Sequence, residues 1–242
     1  MPKFFLSPDA FQSRTIRVTG EDAAHIAGPL RMRPGEPLTL SDGEGTEYRA
    51  NILSVSTGEV LAEILSSAPS TAEPKLRVTL YLPLLKAGSV EDVIKQAVEI
   101  GVSRVVPVLT SRCVVRLKAS EFSKKRERYQ KIALEAAKQS GRARIPEVLP
   151  LMEYAEAIAQ AAENSTVVLA YENADVPLRP YLMEQSAPSD VSVFTGPEGG
   201  FSTEEIACAT RHGIVPLSLG PRILRAATAP IYLLSVLLYQ WT

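Results

Sequence analysis

Cysteine, histidine and aromatic residues are scarce in this chain, and each scarcity removes a class of function. Two cysteines, Cys113 and Cys208, in 242 residues cannot form a disulfide framework. Neither sits in a CxxC or a Cys/His cluster, so no zinc site is expected. Both are expected to act as small buried apolar side chains in a reducing compartment. The two histidines, His25 and His212, are too few and too separated for a metal site or a catalytic triad, and His25 is expected to pack the short helix around it. Aromatic residues make up 6% of the chain, too few to assign base stacking to particular rings. An excess of one charge is also missing. The net charge is -1, so global charge announces no nucleic-acid partner and local charge has to be examined instead. The longest apolar stretch, near Ile231–Leu238, is too short to span a bilayer. The opening MPKFFLSPDAFQ holds no apolar run of signal-peptide length. These absences point to a cytoplasmic globular protein without membrane or metal partners.

The chain reads as two regions. Short strand-like runs come first, at Lys3–Leu6, Thr15–Val18, Leu38–Ser41, Glu47–Val55 and Val60–Leu65. They are punctuated by RPGE at 33–36, SDGEG at 41–45 and STGE at 56–59, a spacing that suggests a small β-barrel. One short helix, Glu21–Ala27, interrupts them, capped by Thr19 or Gly20. The segment SSAPSTAEP at Ser66–Pro74 has the composition of a linker. Domains over 1–70 and 74–242 are therefore expected.

After the linker, strands and helices alternate. Strands are expected at Arg77–Leu82, Arg104–Val108, Thr166–Tyr171, Val191–Phe194 and Val215–Leu219. Helices are expected at Ser89–Ile100, about Ser120–Gln139, Met152–Ala162, Thr203–His212 and about Ala229–Tyr239. Val90, Val93, Ile94, Ala97 and Val98 recur at helical spacing, and Gly101 stops that helix. Such alternation gives an α/β domain with a mainly parallel sheet covered on both faces. The last helix is apolar on more than one face and is expected to pack in the core or across a dimer interface.

Two motifs follow strands near the end. TGPEGGFSTEE, from Thr195, has glycines at 196, 199 and 200 that let backbone amides approach a ligand, and Ser202 or Thr203 with Glu205 offers an N-cap for the next helix. It is neither GxxxxGK[ST] nor GxGxxG, so ATP hydrolysis and dinucleotide binding lose support. Glu198 would repel a phosphate and suits an amine or another cation. The second motif, LSLGPRILRAATAP at Leu217–Pro230, sets Arg222 and Arg225 three apart beside a glycine turn. There they either contact a negative charge or pair with surface acids. Thr228 is placed to cap the last helix.

GPEGGFS together with LGPRILRAATA resembles the RsmE-type 16S rRNA uracil methyltransferases of the SPOUT superfamily. Further matches run in order along nearly the whole chain: HIAGPLRMRPGE at 25–36, SDGEG at 41–45, IKQAVEIGV at 94–102, SRCVVR at 111–116 and KIALEAAKQSGRARIPEV at 131–148. The resemblance implies an N-terminal PUA-like RNA-binding β-barrel and a SPOUT α/β domain with a C-terminal trefoil knot. It also implies S-adenosylmethionine as cofactor, a homodimer that completes each site, and methylation of a uridine on ring nitrogen 3 in the decoding region of the assembled small subunit. Carried over residue by residue, the cofactor loops are Ala170, Tyr171 and Glu172; Thr195, Gly196, Pro197, Glu198, Gly199 and Gly200; and Leu217, Leu219, Gly220, Arg222, Ile223 and Leu224, continuing to Thr228. The chain departs from the family at Ala227, where a glutamate is usual, and at Pro230. That departure keeps open a noncatalytic RNA-binding or ribosome-assembly protein of the same fold. A methyltransferase of this fold acting on another RNA is the third reading.

Methyl transfer to a uracil ring nitrogen requires loss of its proton near the transition state. Arg225 or Arg222 is expected to stabilise the developing anion, and Glu198 is the nearest motif carboxylate for a base. Nine lysines and arginines against three acids lie between Lys118 and Arg144. Such a run is ordinarily a solvated helix face, but this one ends in the loop QSGRARIP. Arg112, Arg142 and Arg144, with Arg31 and Arg33 in the first region, are therefore the expected RNA contacts. RNA binding by this chain should weaken steeply as salt rises, because phosphate contacts release counterions; a filter-binding titration that stays flat between low and moderate salt would contradict these contacts.

Overall fold

The computed structural model describes residues 3–56, 58–86 and 88–241; Thr57, in the expected STGE turn, lies outside them. The chain divides into two compact units. One comprises Met1–Glu73 with Ala137–Ile145, and the other Pro74–Ala136 with Pro146–Thr242.

The first unit contains β1 (Lys3–Phe5), a 3-10 turn (Pro8–Gln12), β2 (Thr15–Thr19), α1 (Gly20–Ala27), β3 (Pro37–Ser41), β4 (Thr46–Val55) and β5 (Glu59–Pro69). The strands form one sheet in the order β1-β3-β4-β5-β2, antiparallel except for the β1–β3 pair. Alternate residues face inward: Ile16 and Val18, Leu38 and Leu40, Ala50 and Ile52, Val60 and Ala62 are all buried, with Ala23 and Ile26 of α1 against them. A slip of one residue would turn a whole strand's apolar set to water, so this alternation fixes the register. No ladder joins β1 to β2 among the described residues. By its hydrogen bonds the sheet is therefore open, where the strand spacing suggested a barrel. The expected linker is partly strand as well. Residues 66–69 continue β5 and pair with Thr46–Arg49, because β4 is long enough to offer them partners. His25 is exposed, with its ring edge toward Phe4.

Residues 137–145 belong to this first unit through polar ties. Glu73 accepts hydrogen bonds from Arg142 Nη2 at 2.7 Å and from the amides of Ala143 and Arg144, each at 2.9 Å. Ser41 Oγ donates to the Ala143 carbonyl at 2.7 Å, and the Ile145 amide donates to Gly43 at 3.0 Å. The Arg142 side chain is only 3% exposed. Its expected role as an RNA contact is thereby corrected: the buried guanidinium is committed to the half-buried Glu73 carboxylate. Burial pushes the Glu73 carboxyl upward, but the Arg142 hydrogen bond and charge and the two amides outweigh burial and hold it below the usual range.

The second unit contains β6 (Arg77–Pro83), α2 (Ser89–Ile100), β7 (Arg104–Leu109), α3 (Ala119–Ser140, its end counted with the first unit), β8 (Glu147–Val148), β9 (Met152–Glu153), α4 (Tyr154–Asn164), β10 (Thr166–Ala170), β11 (Val176–Pro177), α5 (Leu178–Glu184), β12 (Asp190–Phe194), α6 (Thr203–Arg211), β13 (Pro216–Ser218) and α7 (Thr228–Trp241). The sheet order is β11-β13-β10-β12-β6-β7-β8, with β9 also on β7. Every ladder in it is parallel.

Helices cover both faces, which is why the central strands read as unbroken apolar runs. On one face Tyr81, Val106, Val167, Leu169 and Phe194 meet Tyr154, Ala157 and Ile158 of α4, with Tyr81 stacked on Phe194 at 4.2 Å. On the other, α7 packs against α2, β6 and β12 and buries Leu233, Leu234, Leu237 and Leu238. Among the described residues no helix is long and apolar enough to cross a membrane.

The Glu73 clamp yields a stability prediction. Replacing Glu73 by Ala leaves Arg142 buried without its carboxylate and should cost the first unit about 3 kcal/mol or more at neutral pH. Because the folded carboxyl titrates below its ordinary value of 4.5, its contribution is present above that pH and lost as pH falls through the lowered value. Denaturant unfolding of both proteins should show a gap at pH 7 that narrows in acid; a constant gap would contradict the clamp.

Candidate cofactor site

The ladder register decides where the loops emerge. Leu169 of β10 stands beside Phe194 of β12, Phe194 beside Tyr81 of β6, and Ala170 beside Leu217 of β13. Tyr171, Thr195 and Ser218 therefore leave the sheet side by side, at the carboxyl ends where open parallel sheets bind ligands. A cavity of about 500 Å³ lies there, within the usual range for a small-molecule site.

Most of the expected cofactor residues line it. From the three loops these are Ala170, Tyr171 and Glu172; Thr195, Gly196, Pro197, Glu198 and Gly200; and Leu219, Gly220, Arg222, Ile223 and Leu224, joined by Arg225. Three expected residues do not. Leu217 is fully buried, and its carbonyl accepts from the Tyr171 amide at 3.0 Å. Gly199 faces away, its carbonyl accepting from Arg112 Nη1 at 3.0 Å. Thr228 opens α7 and is exposed, its amide donating to the Arg225 carbonyl at 2.8 Å. The cavity also takes in Leu85, Ser89, Ser218, Ala226, Ala227 and Ala229. Leu85 and Ser89 were missed because only the β6–β12 pairing brings them here. Ser218 and the alanines lie inside the segment Leu217–Pro230 and carry no chemistry that singles them out.

The glycine loop is a tight turn in which the Gly200 amide donates to the Pro197 carbonyl at 2.9 Å. Gly200 has φ +67, and a methyl group added to it would overlap the Glu172 carboxylate. The positive φ favours glycine, whereas the overlapping carboxylate is the end of a flexible, exposed side chain that can move aside. Two carboxylates hold the turn. Glu198 Oε1 accepts from the Lys86 amide at 3.0 Å, tying the β12 loop to the β6 loop. Glu205 is buried and forms a capping box with Ser202. Its Oε2 accepts from the Ser202 amide at 2.8 Å and its Oε1 from the Ser111 amide at 2.7 Å.

Thr195 is 1% exposed, and its Oγ1 has no hydrogen-bond partner among the described residues. Leaving such a group unsatisfied costs about 1–3 kcal/mol, a cost that a polar ligand atom would remove. Glu172, Arg222 and Arg225 are exposed and form no side-chain hydrogen bond or ion pair among the described residues. Ile223, between the arginines, is 80% exposed.

The basic stretch is largely spent on structure. Arg126 donates to the Val148 carbonyl, Arg128 pairs with Glu91, Lys138 with Asp22, and Arg144 donates to the Glu44 carbonyl. Lys118, Lys124, Lys125 and Lys131 remain exposed. Arg31 and Arg33 are also exposed, Arg31 with φ +50. Cys113 is buried, but Cys208 is only half-buried.

Residues 72–238 match the family model of an RNA methyltransferase domain, and residues 18–65 that of an RNA methyltransferase PUA domain. Fold and strand-end cavity thus define an RNA methyltransferase built with a PUA domain. Similar proteins narrow the class. Ribosomal RNA small subunit methyltransferase E of Bacillus subtilis is 31% identical over 95% of this chain and 91% of its own length. The protein of the same name from Synechocystis is 33% identical over 94% and 74%. The crystal structure of ribosomal RNA small subunit methyltransferase E from Neisseria gonorrhoeae bound to S-adenosyl methionine matches with a TM-score of 0.87 at 31% identity, covering 100% of this chain and 98% of that one. The chain belongs to the ribosomal RNA small subunit methyltransferase E family.

Removal of the Glu205 carboxylate should loosen the glycine turn without unfolding the sheet. Replacing Glu205 by Ala should cost about 1–2 kcal/mol and speed hydrogen exchange at the Ser111 and Ser202 amides together. Faster exchange at only one of them would show that the carboxylate does not join the two loops.

Proposed function

We propose that this chain transfers a methyl group from S-adenosylmethionine to ring nitrogen 3 of a uridine in small-subunit ribosomal RNA, in the decoding region of the assembled subunit. The observation that carries this reading is the cavity at three adjacent strand ends, lined by a glycine turn, two arginines and two carboxylates. The lining fits the cofactor. Arg222 answers its carboxylate, Glu172 and Glu198 answer its positive groups, and Thr195 Oγ1 with the loop amides offers hydrogen bonds. When bound, S-adenosylmethionine supplies a methyl group on a positively charged sulfur.

The protein's part is alignment and charge. The turn at 196–200, tied to Arg112 through the Gly199 carbonyl and to the Lys86 amide through Glu198, fixes the backbone that orients the ligand. Leu85, Leu219 and Leu224 give the cavity apolar walls, which strengthen electrostatic effects inside it. Arg225 or Arg222 stabilises the negative charge that develops on the uracil ring as its nitrogen loses a proton. Glu198 serves first as a loop tie, and only its second oxygen is left to act as a base. Arg31, Arg33, Arg112 and Arg144 are the proposed RNA contacts that stay exposed. The same reading carries a C-terminal trefoil knot, a homodimer that completes each site, and work in the cytoplasm.

Ala227 favours a second reading. It lines the cavity where a glutamate is usual, as in a protein that keeps the fold and binds RNA without catalysis. Incubation with methyl-labelled S-adenosylmethionine and small subunits lacking the modification separates the two. Label mapped to a small-subunit uridine supports methyl transfer, whereas bound cofactor without label supports the second reading. Arg225→Ala should lower the single-turnover rate by about 100-fold while changing cofactor affinity less than about threefold. Equal loss of rate and binding would contradict the role given to Arg225.

A further inference from the structure

A second cavity, of about 230 Å³, lies in the second unit beside the end of α4 and shares no lining residue with the first. Register partners in a parallel ladder face the same side of a sheet. One row across β12, β6 and β7 is Phe194, Tyr81 and Val106, which pack with α4 in the apolar core. Two residues earlier in each strand, the row on that same face is Ser192, Thr79 and Arg104. All three line the second cavity. A helix-covered face of a parallel sheet is ordinarily apolar, so two hydroxyls and a guanidinium in register there need a cause.

The acceptors around this cavity are already answered. Asp190, its one carboxylate, takes two hydrogen bonds from Arg77, each 2.7 Å long. At the end of α4 the Gln160 carbonyl accepts from Asn164 Nδ2 at 2.7 Å, and the Ala161 carbonyl accepts from the Ser165 amide and hydroxyl, each at 3.1 Å. Two donors are not answered. Thr79 is buried and Arg104 exposed, and neither side chain makes a hydrogen bond or ion pair among the described residues. The Arg104 charge is felt inside the cavity. Burial raises the Tyr81 phenol, and the Ser192 hydroxyl and then the Arg104 guanidinium act against that rise.

We propose that this second cavity binds a phosphate group, held by the Arg104 guanidinium and by the hydroxyls of Thr79 and Ser192. A guanidinium presents a fork of donors to oxyanions, and hydroxyls add donors that rotate to suit the remaining oxygens. With Asp190 neutralised by Arg77, Arg104 leaves one positive charge, which repels a cation and attracts an anion. The volume lies below the usual range for a drug-sized ligand and suits a small ion or the phosphate end of a larger molecule. The site does not rest on the cofactor reading given above.

Titration calorimetry with inorganic phosphate, at an ionic strength held constant with chloride, tests the site on the full chain. One saturable site is expected, with a Kd on the order of 1 mM. Arg104→Gln should weaken it about tenfold or more, and Thr79→Val, which removes the hydroxyl at nearly constant shape, about threefold. The Tm of Arg104→Gln in chloride alone should match that of the unsubstituted chain, since the side chain is exposed, and this reports an intact fold. Uridine 5′-monophosphate in the same titration separates the two sources of the group. Tighter binding than inorganic phosphate, lost in Arg104→Gln, assigns the site to the phosphate of a nucleotide, and equal or weaker binding assigns it to the free ion. No saturable binding of phosphate, or binding that Arg104→Gln leaves unchanged, would overturn the proposal.

Discussion

Parallel pairing of β13, β10, β12 and β6 is the constraint on which the rest of the second unit depends. Adjacent strands in a sheet lie about 4.8 Å apart, so loops leaving three neighbours share a space about one small molecule wide. The ladders pair Leu169 with Phe194 and Ala170 with Leu217. Residues 171, 195 and 218 are far apart in the chain and become neighbours only through that register. The apolar strands Thr166–Ala170 and Asp190–Phe194 need helices on both faces, and α4 and α7 supply them. The cavity opens at the carboxyl ends of these strands.

A second theme is the use of carboxylates to hold backbone. Glu205 receives amides from two loops, Glu198 receives one across from β6, and Glu73 receives two along with a guanidinium. In each case an ionised acceptor satisfies amides that a loop cannot pair within itself, and charge makes those bonds stronger than neutral ones. Loops held in this way can present a rigid site without regular structure of their own. Glu172 stands apart, exposed and without a hydrogen bond or ion pair among the described residues.

Much of this was legible in the sequence because local rules were obeyed. The apolar spacing of Val90, Val93, Ile94, Ala97 and Val98 marks α2 from Ser89 to Ile100, and Ser202 with Glu205 announces the cap of α6. Other features depend on partners remote in the chain. Arg142 reads as an exposed basic residue because Glu73, its partner, lies 69 positions away. Residues 66–69 read as linker because their composition is loop-like, whereas pairing with β4 makes them strand. Helix α5, Leu178–Glu184, escapes notice because Pro177 and Pro180 frame its first turn, and prolines there read as loop although a helix start tolerates them. Among the site residues two of the three loops were marked by their motifs and the third, Ala170–Glu172, only by the family resemblance; which members face the cavity was settled by register, as Gly199 and Leu217 show.

The central claim is that these three loops form one site for S-adenosylmethionine. A crystal structure of the chain grown with that cofactor tests it most directly. The account predicts density between Glu172, the turn at 196–200 and the segment 219–225, with a hydrogen bond to Thr195 Oγ1. Cofactor density elsewhere on the protein, or Thr195 Oγ1 still without a partner in a fully occupied site, would contradict it.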